Sequence, residues 1–332
     1  MVEEILPRLY RIVVPLPGNP LKEINSYVLT SDDRNLIIDT GMNRPECSQV
    51  LGAGLDQIGI DLERTDFIAT HLHADHQGLI PILLRPGSRA YMGEADALRM
   101  QIVFDPRSTD SPMGAYAGQS GFPPDVLEAS LQNHPGFKYG SRVIVDYIPL
   151  KGGEIFEVGD YTLETVSTPG HSEGHVCFYE REKKIFFAGD HVLGDITPNI
   201  QAWSDEHDPL DDYVTSLRNV DELEVDLCLP GHRSIIQDFS KRIAELIEHH
   251  RERANEVIDI LVKSGGRNGY ETAAQMSWDI RAKSWEDFPI MQRWFATGEA
   301  IAHLRYLEGK GLVQRELLDG YNVYSTDGTS RL

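Results

Sequence analysis

Apolar residues near the start of the chain fall in short runs separated by turn formers: "LYRIVVPL" (residues 9–16), "INSYVLTS" (24–31) and "NLIIDT" (35–40). Their alternation and β-branched content predict strands. The period lengthens across "PECSQVLGAGLDQIGI" (45–60), which predicts a helix, and contracts again in the buried run "DFIAT" (66–70). A short helix and the strand "SRAYM" (88–92) follow. From about residue 100 to 140 the pattern breaks down: "DPRSTDSPMGAYAGQSGFPPD" is dense in Gly, Pro and Ser, the composition of an inserted lid or binding loop. Strand signals resume in "SRVIVDYIPL" (141–150), "EIFEVG", "YTLETVSTPG", "GHVCFYE" and "KKIFFAGD", a meander that predicts an antiparallel half-sheet. Helix and strand return in "PLDDYVTSLRNV" and "VDLCLPG".

Beyond Phe239 the character changes. "SKRIAELIEHHRERANEVIDILVKSG" reads as one long amphipathic helix ending in glycine, then come two further helical stretches and a hairpin pair, "LVQREL" and "YNVYS", around "LDG". Helices followed by a β-wing predict a winged-helix-like module. The expected organisation is a catalytic domain over residues 1–237, with its insertion at about 100–140, and a C-terminal module over 238–332. No repeat at solenoid periods is visible.

The chemistry concentrates where "DFIAT" ends. In "HLHADH", His71, His73, Asp75 and His76 occupy six consecutive positions. His71 and His73 alternate by two and would point the same way on a continuing strand, while Asp75 and His76 lie where the chain turns into a helix. One turn can therefore feed two adjacent metals. Imidazole nitrogen and carboxylate oxygen suit borderline divalent ions such as zinc. Later strand ends carry the same chemistry: "STPGHSEGH" places His171, "FFAGDHVLGD" places Asp190 and "LCLPGHRS" places His232. If these ends meet at one sheet edge, His71, His73 and His171 hold one metal, Asp75, His76 and His232 hold a second, and Asp190 bridges them. That count leaves an open coordination position between the metals, which marks a catalytic site.

Charge narrows the partners. The chain carries 31 Lys+Arg against 52 Asp+Glu; 13 and 15 of these lie from Ile236 onward, leaving 18 against 37 in residues 1–235. So acidic a domain repels polyanions, although bound cations reverse the sign locally, and nucleic acid is a disfavoured partner. With 332 residues and 41% hydrophobic content there is material for one large domain and one small one. Cys47, Cys177 and Cys228 form no C-x-x-C pair and are expected to be reduced core residues. No apolar run approaches eighteen residues, and "MVEEILPRLY" is acidic where a secretory signal would be basic, so the expectation is a cytoplasmic protein with no membrane partner.

Taken together, "DTG" at 39–41, "HLHADH", "TPGH", "GD" and "PGH" resemble the metallo-β-lactamase superfamily in type and order, over most of residues 8–235. The resemblance implies an α/β fold, an αββα sandwich with a binuclear site at one edge, here followed by the small winged-helix-like domain. It implies the ligand set already reached from spacing, and it makes Asp39 a residue that orients the ligands. Many lactamases of the superfamily have cysteine where this chain has Asp190; aspartate fits the glyoxalase II-like and lactonase-like branches.

The expected cofactors are two divalent ions per chain, with zinc first and iron or manganese as alternatives. The expected reaction is hydrolysis, a metal-bridging hydroxide attacking a thioester, lactone or other activated ester of a small molecule, with Asp75 moving the proton. His191, beside the bridge, is a further candidate for contact with a substrate oxygen, and Thr197, Asn199 and Arg233 are candidates for the pocket wall. "PGHRS" departs from the acidic and aromatic pair of glyoxalase II-like enzymes, and "GDHVLGDITPN" has no tyrosine near Asp190 such as the lactonases use. The C-terminal module resembles the tail of the lactamase-beta-like 2 group, which includes an endoribonuclease. A metal-dependent endoribonuclease is therefore the second hypothesis, and a noncatalytic or di-iron redox version of the fold the third. Because "GEAIAHLRYLEGKG" is charge-balanced, the module is read as a packing element, a pocket wall or a homodimer contact.

Overall fold

A computed structural model describes residues 1–101, 111–139 and 143–332. The chain divides into two compact units, one built from Met1–Val103, Lys138–Pro198 and Ser216–Ile243, the other from Phe104–Phe137, Asn199–Thr215 and Ala244–Leu332.

The first unit contains two mixed sheets. Strands β1 (Val2–Leu6), β2 (Leu9–Pro15), β3 (Glu23–Leu29), β4 (Asn35–Ile38), β5 (Thr65–Ile68), β6 (Ala90–Gly93) and β7 (Ile148–Leu150) lie side by side in chain order. The pairings are antiparallel up to β4 and parallel from β4 to β7. Helices α1 (Pro45–Ile58), α2 (Ala74–Gln77), α3 (Ile80–Leu83) and α4 (Glu94–Gln101) fall between these strands. Alternation decides which way each side chain packs. Ile12, Ile37 and Phe67 join Cys47, Leu51 and Leu55 of α1 in one core cluster, while Leu36, Ile38 and Ile68 face the other way.

What they face is the second sheet. Strands β8 (Ile155–Val158), β9 (Tyr161–Ser167), β10 (Val176–Glu180) and β11 (Ile185–Gly189) form an antiparallel meander, and β12 (Leu227–Pro230) adds parallel to β11. Leu163, Phe178, Phe187 and Leu229 pack against Leu36, Ile38 and Ile68 in a single intersheet core. Parallel entry of β12 needs a crossover, and the helix over Pro209–Asp221 supplies it. The result is the αββα sandwich.

Two stretches differ from their sequence pattern. Of the expected strand 141–150, residues 141 and 142 lie outside the described residues, and 143–147 are irregular ahead of β7. Strand β7 is the last of its sheet and pairs only with β6, so the run has one neighbour to extend along. Of the expected insertion, 102–110 and 140 lie outside the described residues; the rest is mostly helical, as α5 (Pro112–Gln119), α6 (Pro124–Asn133) and α7 (Pro135–Tyr139). Ser111 caps α5 by accepting from the Gly114 N–H at 3.1 Å, and Pro112 and Pro124 sit in first turns. The prolines and serine that suggested a loop are helix starts.

In the second unit Trp294 is fully buried among Ala117, Phe122, Leu127 and Leu131 of this segment. After α8 (Pro209–Asp221), the helices α9 (Phe239–Ser264), α10 (Gly269–Ala273) and α11 (Ile290–Gly309) enclose a further core of Val257, Leu261, Ala273, Leu304 and Leu307. The hairpin of β13 (Gln314–Leu318) and β14 (Tyr321–Ser325) closes it through Tyr324. Asn268 begins α10 with a complete capping box to Glu271. Among the described residues no helix is long and apolar enough to cross a membrane, and all three cysteines are buried and unpaired.

Candidate metal centre

All seven ligand candidates lie within the first unit, each at or just beyond the end of a strand. Past β5 the chain leaves the sheet through His71 and His73 and enters α2, which carries Asp75 and His76. His171 sits on the turn between β9 and β10, Asp190 follows β11 directly, and His232 follows β12. Space is what brings Asp190 and His232 so close. A Cβ on Gly231 would stand 2.7 Å from Asp190 Oδ1 and 3.0 Å from His76 Cε1, so only glycine fits between these side chains.

The side chains converge as two groups sharing one carboxylate. His73 Nδ1 lies 2.8 Å from His71 Nε2 and 3.0 Å from His171 Nε2. On the other side His232 Nε2 lies 3.6 Å from Asp75 Oδ2. Asp190 reaches both groups, with Oδ2 3.5 Å from His171 Nε2 and Oδ1 3.5 Å from both His76 Nε2 and His232 Nε2. The trios His71–His73–His171, His71–His76–Asp190 and Asp75–His76–His232 each have their ligand atoms within 4.8 Å of one another. The residues picked out by spacing thus form one compact cluster.

The donor set fits divalent cations. His76 Nδ1 donates to Asp39 Oδ2 at 2.8 Å, and His232 Nδ1 to the Glu23 carbonyl at 2.6 Å. With those nitrogens committed as donors, Nε2 is the atom of each ring that offers a lone pair when the ring gives up its second proton. His76 Nε2, His232 Nε2 and Asp190 Oδ1 are buried with no hydrogen-bond partner, and they point at one another. Buried polar atoms left in this way are costly unless a cation joins them. Burial opposes charge on His76 and His232, yet the carboxylates beside them, Asp190 for both and Asp39 for His76, outweigh it and raise both rings above their ordinary pKa. Burial likewise works against the Asp190 anion, but His232 and His76 hold it well below the usual carboxylate range. The field that attracts protons here attracts metal ions. His71 is the opposite case: burial, then its histidine neighbours, push its pKa well down, which favours the neutral ring.

Several uncoordinated groups fix these rings. Asp39, at a positive φ of 59°, accepts from the Thr70 N–H at 2.8 Å and the Thr70 hydroxyl as well as from His76. Asn25 and Tyr27 of β3 donate to the Pro230 carbonyl at 3.0 and 2.8 Å and so brace the turn before His232. His175 is a group the ligand pattern did not assign. Its Nε2 accepts the Asp190 main-chain N–H at 3.1 Å, and its Nδ1 meets the Thr168 hydroxyl at 2.8 Å, which orients the turn carrying Asp190. The signal was present in "GHSEGH", where a second histidine follows His171 by four.

The remaining candidates are placed as follows. His191 is fully buried, its pKa pushed down to about 3 chiefly by burial, and it interacts with the Ser216 main chain. Thr197 is half-buried in the same unit, beside a loop whose Leu193 and Ile196 carbonyls accept from Arg242. Arg233 adopts a positive φ of 65° and donates to the Pro20 carbonyl at 2.9 Å. Asn199 belongs to the second unit, where its amide donates to Glu299 at 2.7 Å.

Two packed mixed sheets with helices outside, and a histidine and aspartate cluster at the strand ends, define a metal-site α/β sandwich. The sequence pattern of the metallo-beta-lactamase superfamily matches residues 20–232, and the chain belongs to that superfamily. It is 29% identical over 269 residues to an atrochrysone carboxyl ACP thioesterase of Aspergillus novofumigatus, covering 81% of this chain and 67% of that protein. It is 25% identical to a lactamase-like protein of Aspergillus niger, covering 91% of this chain and 90% of that one. Among solved structures, a metallo-beta-lactamase family protein from Thermus thermophilus is similar with a TM-score of 0.78 at 27% identity, over 97% of this chain and all of that one.

Proposed function

We propose that the protein is a metal-dependent hydrolase that cleaves thioesters, with two divalent cations, zinc first among them, one at each ligand group. His71, His73 and His171 would hold one, Asp75, His76 and His232 the other, and Asp190 both. The observation that carries this reading is the convergence of His76 Nε2, His232 Nε2 and Asp190 Oδ1, buried and unpartnered, beside the three-histidine group. Such ions, when bound, lower the pKa of water toward neutrality and polarise a carbonyl. The chain's own residues do the rest. Asp39 and the Glu23 carbonyl keep the Nε2 atoms of His76 and His232 turned inward. Asp75, its carboxylate 3.6 Å from His232 Nε2, would take up a proton and return it to the departing thiolate. No Ser or Cys nucleophile is needed, and the three cysteines are buried.

The substrate class rests on the fungal relatives, several of which are named atrochrysone carboxyl ACP thioesterases. A thioester of a small acyl group, free or linked to a carrier, is the substrate to test first. Nucleic acid fits poorly: α11, the turn after it and the hairpin carry Arg305, Lys310 and Arg315, and each is engaged by an acid, Asp205, Glu308 or Asp211. The test is a panel of acyl-thioesters, the matching oxygen esters, lactones and a structured RNA, assayed with chelator-stripped and metal-resupplied protein. Thioester turnover restored by metal supports the proposal; metal-dependent cleavage of RNA alone contradicts it.

A further inference from the structure

Asp96 is fully buried, and the cluster described above does not use it. It lies in the first turn of α4, just past β6, and among the described residues no ion pair joins it to a cation; the nearby Arg99 pairs with Glu173. Its carboxylate instead accepts three hydrogen bonds from two separate chain segments. Oδ2 takes the Leu72 N–H at 2.9 Å and the Ser172 hydroxyl at 2.6 Å, and Oδ1 takes the Gly174 N–H at 2.9 Å. Leu72 stands between His71 and His73, and Ser172 directly follows His171. One carboxylate therefore ties together the two segments that supply the three-histidine group.

The surroundings are built tightly around it. A Cβ on Gly174 would fall 2.4 Å from the Asp96 main-chain nitrogen, and one on Gly93 would fall 1.8 Å from the Gly174 carbonyl oxygen, so the strand end, the helix start and the His171 turn meet where no side chain could intervene. Burial raises the Asp96 pKa, while the three donors act in the opposite direction.

We propose that Asp96 is a positioning residue that sets the separation of His73 from His171 and thereby the metal affinity of the His71–His73–His171 group, without acting on the Asp75–His76–His232 group. The inference rests on the metal-binding reading. An anion suits the position because all three neighbours are donors. The substitution D96N would turn an amide NH2 toward one of them, opening the clamp while preserving volume.

The experiment is a cobalt(II) titration of metal-free wild-type protein and of D96N, following visible absorption and competition with a chelator, with H171A and H232A as references that each delete one ligand group. The wild type is expected to bind in two classes. D96N is expected to keep the class that survives in H171A at wild-type affinity and to weaken the other by about 10–100-fold, the range for groups that orient metal ligands. Thermal unfolding of metal-free D96N is measured alongside. If D96N does not fold, Ser172→Ala, which removes one donor, is expected to show the same selective loss at smaller size. Retention of both classes at wild-type affinity overturns the proposal, and so does equal weakening of both together with a drop in metal-free stability. A wild type that binds no cobalt overturns the metal reading itself.

Discussion

At the scale of single residues, the centre depends on side chains that never need to touch a metal. Asp39 accepts from three donors, and one of them fixes which nitrogen of His76 faces inward. D39N places an amide NH2 against Thr70 or His76 and is expected to lower metal affinity by about 10–100-fold, as removal of such partners commonly does; a chelator-competition assay with zinc checks it. Gly231 is the steric counterpart. Its missing Cβ is the space that Asp190 Oδ1 and His76 occupy, so Gly231→Ala must displace one of them. The expected result is loss of metal at the shared carboxylate and a stability cost of about 1–3 kcal/mol, the range for an overfilled site, read by metal content and urea unfolding. The "HLHADH" part of the cluster was legible in the sequence because four of its side chains fall within six residues, and local spacing alone brings them together. Asp96 was not, and of His175 only the spacing in "GHSEGH" was visible, not its role: each works through main-chain N–H groups of another segment, and no one-dimensional pattern marks an acceptor's donors.

At the scale of elements, strand ends are pinned by polar clamps away from the centre. Asp66 of β5 accepts from Arg34, just before β4, and from Arg89, just before β6, at 2.6–3.1 Å, so one carboxylate spans three neighbouring strand starts. Burial works against its charge, but the Arg34 and Arg89 hydrogen bonds hold its pKa below the ordinary 3.8. A depressed folded value means the stabilisation is complete above pH 3.8 and disappears as the pH falls through the folded pKa. With Arg89 half exposed, screening limits the effect, and D66N is expected to cost about 1–2 kcal/mol at neutral pH. The gap between D66N and wild type should close in acid; a gap unchanged well below pH 3.8 would show that packing, not the ion pairs, sets the cost. Elements were legible where the period was clean, as in β2 to β5, α1 and the β8–β11 meander. Residues 111–139 were misread because Ser111, Pro112 and Pro124 serve as readily to start helices as to break them, and only burial against Trp294 distinguishes the two.

At the scale of the whole molecule, formal charge and site charge have opposite consequences. A chain of net charge −21 repels polyanions, yet its buried carboxylate and imidazole cluster suits cations. Metal should therefore act as a stabilising ligand of the folded chain. At a free concentration about 100 times the dissociation constant, one bound ion contributes about 2.7 kcal/mol, so chelator treatment should lower the unfolding temperature and zinc should restore it. An unfolding temperature indifferent to both would show that the cluster is held together without an ion.

A thioester hydrolase dependent on the ions this cluster holds is tested most directly by adding zinc stepwise to metal-free protein and recording the initial rate of thiol release from an acyl-thioester at each step, with Asp190→Asn in parallel. The rate is expected to rise with metal and saturate near about two equivalents per chain, and the variant to lose activity and bind at least one ion more weakly. A rate independent of added metal, or full activity in D190N, would contradict this assignment.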